Sequence, residues 1–420
     1  MKTYFFIIFL VSMKLYSGVW IDVSPPSQSI TFYGVHFTDN NNGVAVGWDN
    51  SNSGIYITTN GGQTWTLKNP GSSYLFGVNT NGYNNIFVSG YSGIFNCGLL
   101  FKTSDRGTNW NNVIFDGNEA PVCFGFYNYI IVDNLTHFMS GYQGMIVKST
   151  DGGNSWRKTN TMNGTDVFRS LCFADKNIGF ACGGANGNFQ IIDDIFKTTD
   201  GGDNWVQIVP HGSGYSIGSI KFVNPLVGFI IGYYQGQEAI LKTVDGGISW
   251  NPVYKGISSN VLQGGCVIGD SIIYAAGQSK VIRSTDQGGT WSEEQILNNQ
   301  LFMDIDYPSK DIGYAVGSGG TILKYIGSTS VEDAEIESQF AIEPNPANDF
   351  INIKLNNNLL IISNEKVFVN IYNEIGLLVF SGKYFIPTIT IDTKPFPDGI
   401  YFCVINSENK IEKSKFIIKR

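Results

Sequence analysis

Short apolar runs alternate with polar turns along most of the chain, and the alternation repeats in units. VHFTDNNNGVAVG from Val35, LCFADKNIGFACG from Leu171, IKFVNPLVGFIIG from Ile220 and IDYPSKDIGYAVG from Ile305 each read as a strand, a polar turn and a second strand ending in glycine. A loop follows, then a third strand closing on a cation: Lys102, Lys148, Lys197, Lys242 or Arg283. Next comes an eight-residue frame: TTNGGQTW from Thr58, TSDRGTNW from Thr103, STDGGNSW from Ser149, TTDGGDNW from Thr198, TVDGGISW from Thr243 and STDQGGTW from Ser284. Lying between two apolar runs, the frame predicts a hairpin turn. Its acidic or amide residue (Asn60, Asp105, Asp151, Asp200, Asp245, Asp286) accepts backbone N–H groups, and its Gly supplies a positive φ. Its Trp (Trp65, Trp110, Trp156, Trp205, Trp250, Trp291) opens a fourth strand and buries its ring. A turn hydrogen bond is worth about 1 kcal/mol and a buried Trp up to roughly 4–6 kcal/mol, so the Trp supplies stability while the Asp specifies the turn.

The frame tryptophans are spaced by 45, 46, 49, 45 and 41 residues, a period that predicts propeller blades of four strands. A seventh unit, through Tyr314–Gly317 and Thr321–Tyr325, ends without a frame or a Trp. Trp20 stands 45 residues before Trp65, in phase with the series. Trp20-Ile21-Asp22-Val23 is therefore expected to supply the missing outer strand, closing a seven-bladed propeller over residues 19–326. Residues 327–339 are acidic and Ser-rich and read as a linker. From residue 340 to 420 the Trp frame disappears and strands such as Ile351-Asn352-Ile353-Lys354-Leu355 alternate, which predicts a small immunoglobulin-like antiparallel β-sandwich. The fold class is all-β.

The repeated frame is the Asp-box signature, and it resembles the boxes of sialidase-like propellers and of the photosystem II assembly-factor repeat family. The tail resembles the C-terminal sorting domain of the type IX secretion system in three stretches: Glu343-Pro344-Asn345-Pro346-Ala347-Asn348-Asp349, Val369-Asn370-Ile371-Tyr372-Asn373-Glu374-Ile375-Gly376 and Pro397-Asp398-Gly399-Ile400-Tyr401-Phe402. That resemblance implies an address tag on residues 340–420, read by the type IX secretion machinery at the outer membrane, with the cargo released or held at the cell surface. Together with such a tail, the assembly-factor resemblance implies only a rigid platform for binding, not a photosynthetic role.

Composition narrows the reading. Glycine at 50 residues and aromatics at 14% suit a turn-rich β protein. A net charge of −8 and only five arginines argue against a nucleic-acid partner. Lys2, the apolar run Tyr4–Val11 and the small residues Ser17-Gly18 predict a signal peptide over residues 1–18, a route through the periplasm and no membrane anchor in the mature chain. Six cysteines without CxxC spacing predict no zinc site. Cys172 and Cys182, flanking one turn, are either a disulfide or, with the others, small buried side chains.

No metal or cofactor is expected, and enzymatic chemistry is poorly supported. Gly214-Tyr215-Ser216-Ile217-Gly218 has the nucleophile-elbow letters but no following helix, and reads as an inter-blade loop. His36 and His137 sit within strands, and His211 has no evident partner carboxylate. The sialidase resemblance implies three substrate-clamping arginines, yet Arg106, Arg157 and Arg283 lie in or beside boxes, leaving Arg169 alone near a mouth. A different glycoside hydrolase would need two carboxylates in one mouth, with Asp166, Asp193, Asp194 and Glu238 as candidates. The loops between second and third strands share the face opposite the boxes and carry Trp48, Tyr91, Phe95, Tyr142, Phe189, Tyr233 and Tyr234, an aromatic rim suited to sugars or a partner protein. The expectation is a secreted or cell-surface, non-catalytic scaffold that binds protein or glycan. The alternatives are a secreted hydrolase of extracellular polysaccharide and a surface adhesin.

Overall fold

A computed structural model describes residues 18–25, 29–49, 53–68, 73–93, 97–115, 125–161, 167–184, 194–209, 214–296, 300–327, 340–355, 367–373, 377–384, 388–407 and 410–420. No α-helix occurs among them, and no helix is long and apolar enough to cross a membrane. Two compact units appear, one of which spans Trp20–Ile326.

Among the described residues of that unit the strands form seven sheets in chain order, antiparallel but for one added strand. Sheet 1 is Thr31–Phe37, Gly43–Trp48, Ser53–Thr58 and Thr66–Lys68; sheet 2 is Ser73–Asn81, Asn85–Ser92, Cys97–Thr103 and Asn111–Phe115. Sheet 3 starts at Phe126–Ile131, sheet 4 at Val167–Phe173, sheet 5 at Tyr215–Phe222 and sheet 6 at Gly264–Ile268. Sheet 7 comprises Phe302–Ser309, Ile312–Gly317 and Ile322–Ile326, with Val19–Asp22 added at its outer edge. Val23 N donates to Ile322 O at 3.0 Å, and the Trp20 ring packs on Tyr325 at 5.3 Å. Sheet 4 carries a fifth strand that the four-strand repeat does not predict. Asn160–Thr161, leaving the outer edge of sheet 3, crosses to run parallel to Asn204–Val209. It covers the start of that edge strand, at Asn204 and Trp205.

Alternation along each strand sends side chains toward the sheet before and the sheet after, so the core is a series of seams. Phe138, Ile146, Phe168, Phe196 and Trp205 fill the seam between sheets 3 and 4. Phe180, Phe222, Ile230 and Trp250 fill the next one. The last sheet packs on the first: Phe37 stacks on Tyr314 with centroids 3.4 Å apart, and Asp304 and Asp306 accept the Val35 and Phe37 N–H groups at 3.1 and 2.7 Å.

The boxes repeat one hydrogen-bond scheme. The first hydroxyl donates to the third residue's Oδ1, as from Thr198 to Asp200 at 2.8 Å, and accepts the N–H of the fifth, here Gly202 at 2.9 Å. The same Oδ1 accepts the N–H of the seventh residue: Thr64, Asn109, Ser155, Asn204, Ser249 or Thr290. Positive φ is required at two positions, not one. Gly201 and Gly202 have φ of 71° and 85°, and the fourth position is held by Arg106 at 59° in the second box and by Gln287 at 56° in the sixth. The fourth strand generally starts just after the Trp, as at Thr66 and Asn111. Trp156, Trp205 and Trp250 are buried, whereas Trp65, Trp110 and Trp291 are half-buried.

Those hydrogen bonds, the seventh residue's first, hold Asp105, Asp200, Asp245 and Asp286 at about 2, against 3.8 for a free side chain. A carboxylate whose folded pKa is depressed stabilises the fold fully above its unfolded pKa and loses that contribution as pH falls toward the folded value. Thermal stability is therefore expected to fall as pH drops from about 4 to about 2. Changing the box aspartates together to Asn, the residue the first box already uses, is expected to flatten that limb in calorimetry. An unchanged acid limb would show that the boxes do not carry it.

The third-strand cations lock neighbouring sheets together. Lys102 donates to Gly153 O at 3.1 Å, Lys197 to Gly246 O at 3.1 Å, Lys242 to Gln287 O at 2.7 Å and Lys324 to Gly61 O at 3.0 Å. Lys148 reaches Asp203 in the next box at 2.7 Å. Lys148, Lys197, Lys242 and Lys324 each also lie over an aromatic ring of their own sheet, and Arg283 lies over Tyr274.

The second unit has a three-stranded sheet (Phe340–Glu343, Phe350–Leu355, Thr388–Asp392) and a four-stranded one (Val367–Asn373, Leu378–Tyr384, Gly399–Ser407, Lys410–Ile418). Inward residues of both, including Phe340, Ile351, Ile353, Ile371, Cys403 and Phe416, form one core.

Candidate functional site

The first strand of six sheets carries a bulge at the same place, so that one side chain leaves the in-and-out alternation. The bulged residues in sheets 1 to 4 are Tyr33, Phe76, Tyr127 and Arg169, at the end of the sheets remote from the boxes. They touch in sequence. Tyr33 meets Phe76 at 5.4 Å, Phe76 meets Tyr127 at 4.7 Å, and the Arg169 guanidinium lies 5.4 Å from the Tyr127 ring.

An outer tier comes from strand ends rather than from the second-to-third loops expected to carry it: Trp48 and Tyr91 lie at the ends of second strands, Tyr74 begins a first strand, and Tyr142 alone of these follows its second strand. Trp48 stacks on Tyr33 at 5.5 Å and 12°, and its edge meets Tyr74 at 4.5 Å. Tyr74 meets Tyr91 at 5.4 Å, and Tyr142 meets Tyr127 at 5.2 Å. Three of the rim residues expected from sequence, Trp48, Tyr91 and Tyr142, thus belong to one arc. Tyr33, Tyr74, Phe76 and Tyr127, which join them, were not foreseen. A signal was present: Phe32-Tyr33-Gly34, Leu75-Phe76-Gly77, Phe126-Tyr127-Asn128 and Phe168-Arg169-Ser170 each place two large residues before a small one, breaking the period of two. Tyr233 and Tyr234 stand apart on sheet 5, where Tyr234 pairs with Tyr215 at 5.4 Å beneath Lys255. Phe95 and Phe189 lie outside the described residues.

Burial, and for Tyr127 the hydroxyl of Tyr142, raises the phenol pKa values of Tyr33, Tyr91 and Tyr127 above the ordinary 10. The phenols are therefore neutral at physiological pH, and the arc offers ring faces, hydroxyls and the Arg169 charge, which is chemistry for stacking and hydrogen bonding.

Of the carboxylates considered for hydrolysis, the two among the described residues, Asp194 and Glu238, are both buried. Glu238 is fully buried, paired with Lys280 at 2.6 Å, and Asp194 is buried and accepts from Gln207 at 2.9 Å. Asp166, Asp193 and His211 lie outside the described residues. Ser216 sits in the strand Tyr215–Phe222 opposite Tyr233, not in a loop as its sequence suggests, because the pairing with sheet 5's second strand extends to that end. His137 is buried with Tyr129 at 2.8 Å, and His36 bonds Thr80 at 2.9 Å. Cys172 and Cys182 are both free. Cys172 stands opposite Phe180 and Cys182 opposite Ser170, so the hairpin register does not face them, and burial pushes both thiols up to about 12. No cluster of metal-ligating side chains occurs among the described residues.

Residues 341–419 match the secretion system C-terminal sorting domain family, and residues 56–67 match the BNR/Asp-box repeat. The sorting domain indicates secretion by the type IX route, to the cell surface or beyond. The chain is 23% identical over 241 residues to the photosystem II assembly lipoprotein Ycf48 of Synechococcus sp. (strain CC9902), an alignment covering 54% of this chain and 66% of the relative, just under two thirds of it. Among solved structures it resembles YCF48 bound to a D1 peptide (TM-score 0.58, 19% identity, 74% of this chain and 98% of that one). It also resembles YCF48 from Cyanidioschyzon merolae (TM-score 0.58, 18% identity, 73% and 99%) and the WD40 propeller domain of Doa1 (TM-score 0.55, 9% identity, 75% and 98%). The fold is thus of the propeller kind.

Proposed function

We propose that this chain is a secreted, non-catalytic binding propeller that holds an extracellular protein or glycan across the aromatic arc. The observation that carries the proposal is the unbroken series of ring contacts from Tyr91 through Tyr74, Trp48, Tyr33 and Phe76 to Tyr127, which meets both Tyr142 and Arg169. Aromatics and Arg carry a disproportionate share of binding energy at interfaces. In this reading, residues 1–18 are a signal peptide and residues 19–326 form seven blades, the strand around Trp20 closing the last. Residues 327–339 are a linker, and residues 340–420 form an immunoglobulin-like sandwich that the secretion machinery reads. The box residues are architecture. The solved YCF48 complex carries a peptide on a similar fold, which supports a protein segment as one kind of partner.

A glycan array and a cross-linking screen against cell-surface proteins, both with the secreted chain, identify the partner. Trp48→Ala and Tyr127→Ala are each expected to weaken binding by at least about tenfold, the loss of one interface anchor, with thermal stability followed in parallel. Undiminished affinity of both variants for every partner captured by the wild type rules out the arc.

A further inference from the structure

At the box end of the molecule, two departures from the repeat meet at one seam. Every other seam that faces a box receives a third-strand lysine from the preceding sheet. In sheet 1 that position is Ile57, whose side chain lies close against Gly107 of the second box. In the same box the fourth position, glycine in four of the six copies, is Arg106, held at φ 59°. A left-handed arginine bears a backbone strain that glycine does not. What it gains is placement. Its guanidinium lies 3.1 Å from the Tyr83 ring centroid, and Nε donates to Asn84 Oδ1 at 3.1 Å. Among the described residues, its two terminal nitrogens donate to nothing.

Between Ile57 and Arg106 the missing lysine leaves a cleft. Val44, Ile57 and Ile86 make an apolar floor, and Thr38, Thr59 and Thr80 bring hydroxyls to the walls. Thr38 and Thr80 bond each other at 2.8 Å. Asn42 turns its amide nitrogen to Asp39, at 2.8 and 3.0 Å, so its Oδ1 points away from that carboxylate. That oxygen is buried and accepts no hydrogen bond among the described residues. The Asp105 carboxylate beside Arg106 is already engaged by Thr103 and Asn109. The cleft therefore offers a cation, hydroxyls, one acceptor lacking a donor, and a small apolar floor.

We propose that this cleft is a second ligand site, which takes a carboxylate carrying a neighbouring hydroxyl. Arg106 pairs with the carboxylate, Asn42 Oδ1 accepts from the hydroxyl, and the carbon body rests on Ile57 and Ile86. Free hydroxy acids and the uronic-acid end of a glycan share this chemistry. The site is distinct from the aromatic arc, which lies at the opposite end of the sheets.

The test is calorimetric titration of the full secreted chain with sodium lactate and with sodium glucuronate, using lactamide as the neutral control. Saturable binding is expected with at least one acid. Lactate alone identifies a free hydroxy acid; glucuronate, alone or with lactate, identifies a glycan end. Lactamide and the Arg106→Gln variant are each expected to bind at least about tenfold more weakly, as the loss of a charge-assisted hydrogen bond requires. Ile57→Lys, which installs the lysine used at the other seams, is expected to fill the cleft and abolish binding without lowering the melting temperature. Absence of saturable binding by either acid overturns the proposal. So does lactamide binding as well as lactate, or wild-type affinity in Arg106→Gln or in a folded Ile57→Lys.

Discussion

Removing residues 18–24 is expected to lower the melting temperature of the Trp20–Ile326 unit by about 5–10 °C and to make the protein self-associate. Ile21 and Val23 are 2% and 7% exposed, and Trp20 packs on Tyr307 and Tyr325 at 6.4 and 5.3 Å. At about 1.5–3 kcal/mol for each buried side chain, the strand contributes roughly 5 kcal/mol before its ordering entropy is deducted. Each kcal/mol moves the melting temperature of a unit this size by about 1.5–2 °C. Two cross-bonds go with the strand: Trp20 Nε1 to Glu294 at 2.7 Å, and Trp65 Nε1 to Val23 O at 2.8 Å. The loss also leaves Ile322–Ile326 as an open edge, a template for pairing with another chain. Scanning calorimetry and light scattering read both effects. Ile21→Ala, a smaller lesion, is expected to cost about 2–5 kcal/mol. A truncated chain that melts within about 2 °C of the intact one would show that the strand is dispensable.

Trp205→Ala is the second large expected effect, at about 3–5 kcal/mol. Trp205 is 1% exposed, sits edge-on to Phe173 at 5.9 Å and belongs to the cluster of Phe138, Phe168 and Phe196 that joins sheets 3 and 4. Its Nε1 donates to Gly202 O at 3.1 Å, tying the ring to its own turn. Truncation leaves a cavity that close-packed neighbours fill only in part. The half-buried Trp291, with Phe229 at 6.5 Å and Tyr254 at 6.1 Å, provides the contrast. Trp291→Ala is expected to cost about half as much, since less area leaves water. Urea titrations of the two variants decide the matter: equal midpoints would mean that ring burial does not rank the boxes.

Several features were legible because they are local. The box is an eight-residue pattern in which the bonds of its hydroxyl and Asp side chains reach no more than four residues along the chain, so hydroxyl, Asp, Gly and Trp could be read together. The phase of Trp20 with the later tryptophans put its strand in the fourth-strand position, and in the structure that strand pairs with Ile322–Ile326. Other features were opaque for an equally physical reason. Pairing across seams depends on which sheet a side chain faces, and one bulged residue reverses that. The aromatic arc was seen only in its outer members, because Tyr33, Phe76 and Tyr127 sit in strands that regular alternation would point elsewhere. Glu238 carries a charge in a loop-like stretch, yet it is buried against Lys280, 42 residues away.

The sequence by itself determined the repeating unit, its turn chemistry, the all-β class and the sorting tail, since each is written in spacings shorter than one unit. Tertiary structure alone decided which residues meet between units. It put the third-strand lysines on carbonyls of the next box, or in the case of Lys148 on the Asp203 carboxylate, and left one seam without that lysine. It also swung Arg106 over Tyr83 at that seam, and gathered aromatics from sheets 1 to 3 into one arc with Arg169 of sheet 4. Such contacts join residues some 45 positions apart in neighbouring sheets, as Lys242 and Gln287 are. Their geometry follows from how the sheets stack and bulge, which local composition does not encode.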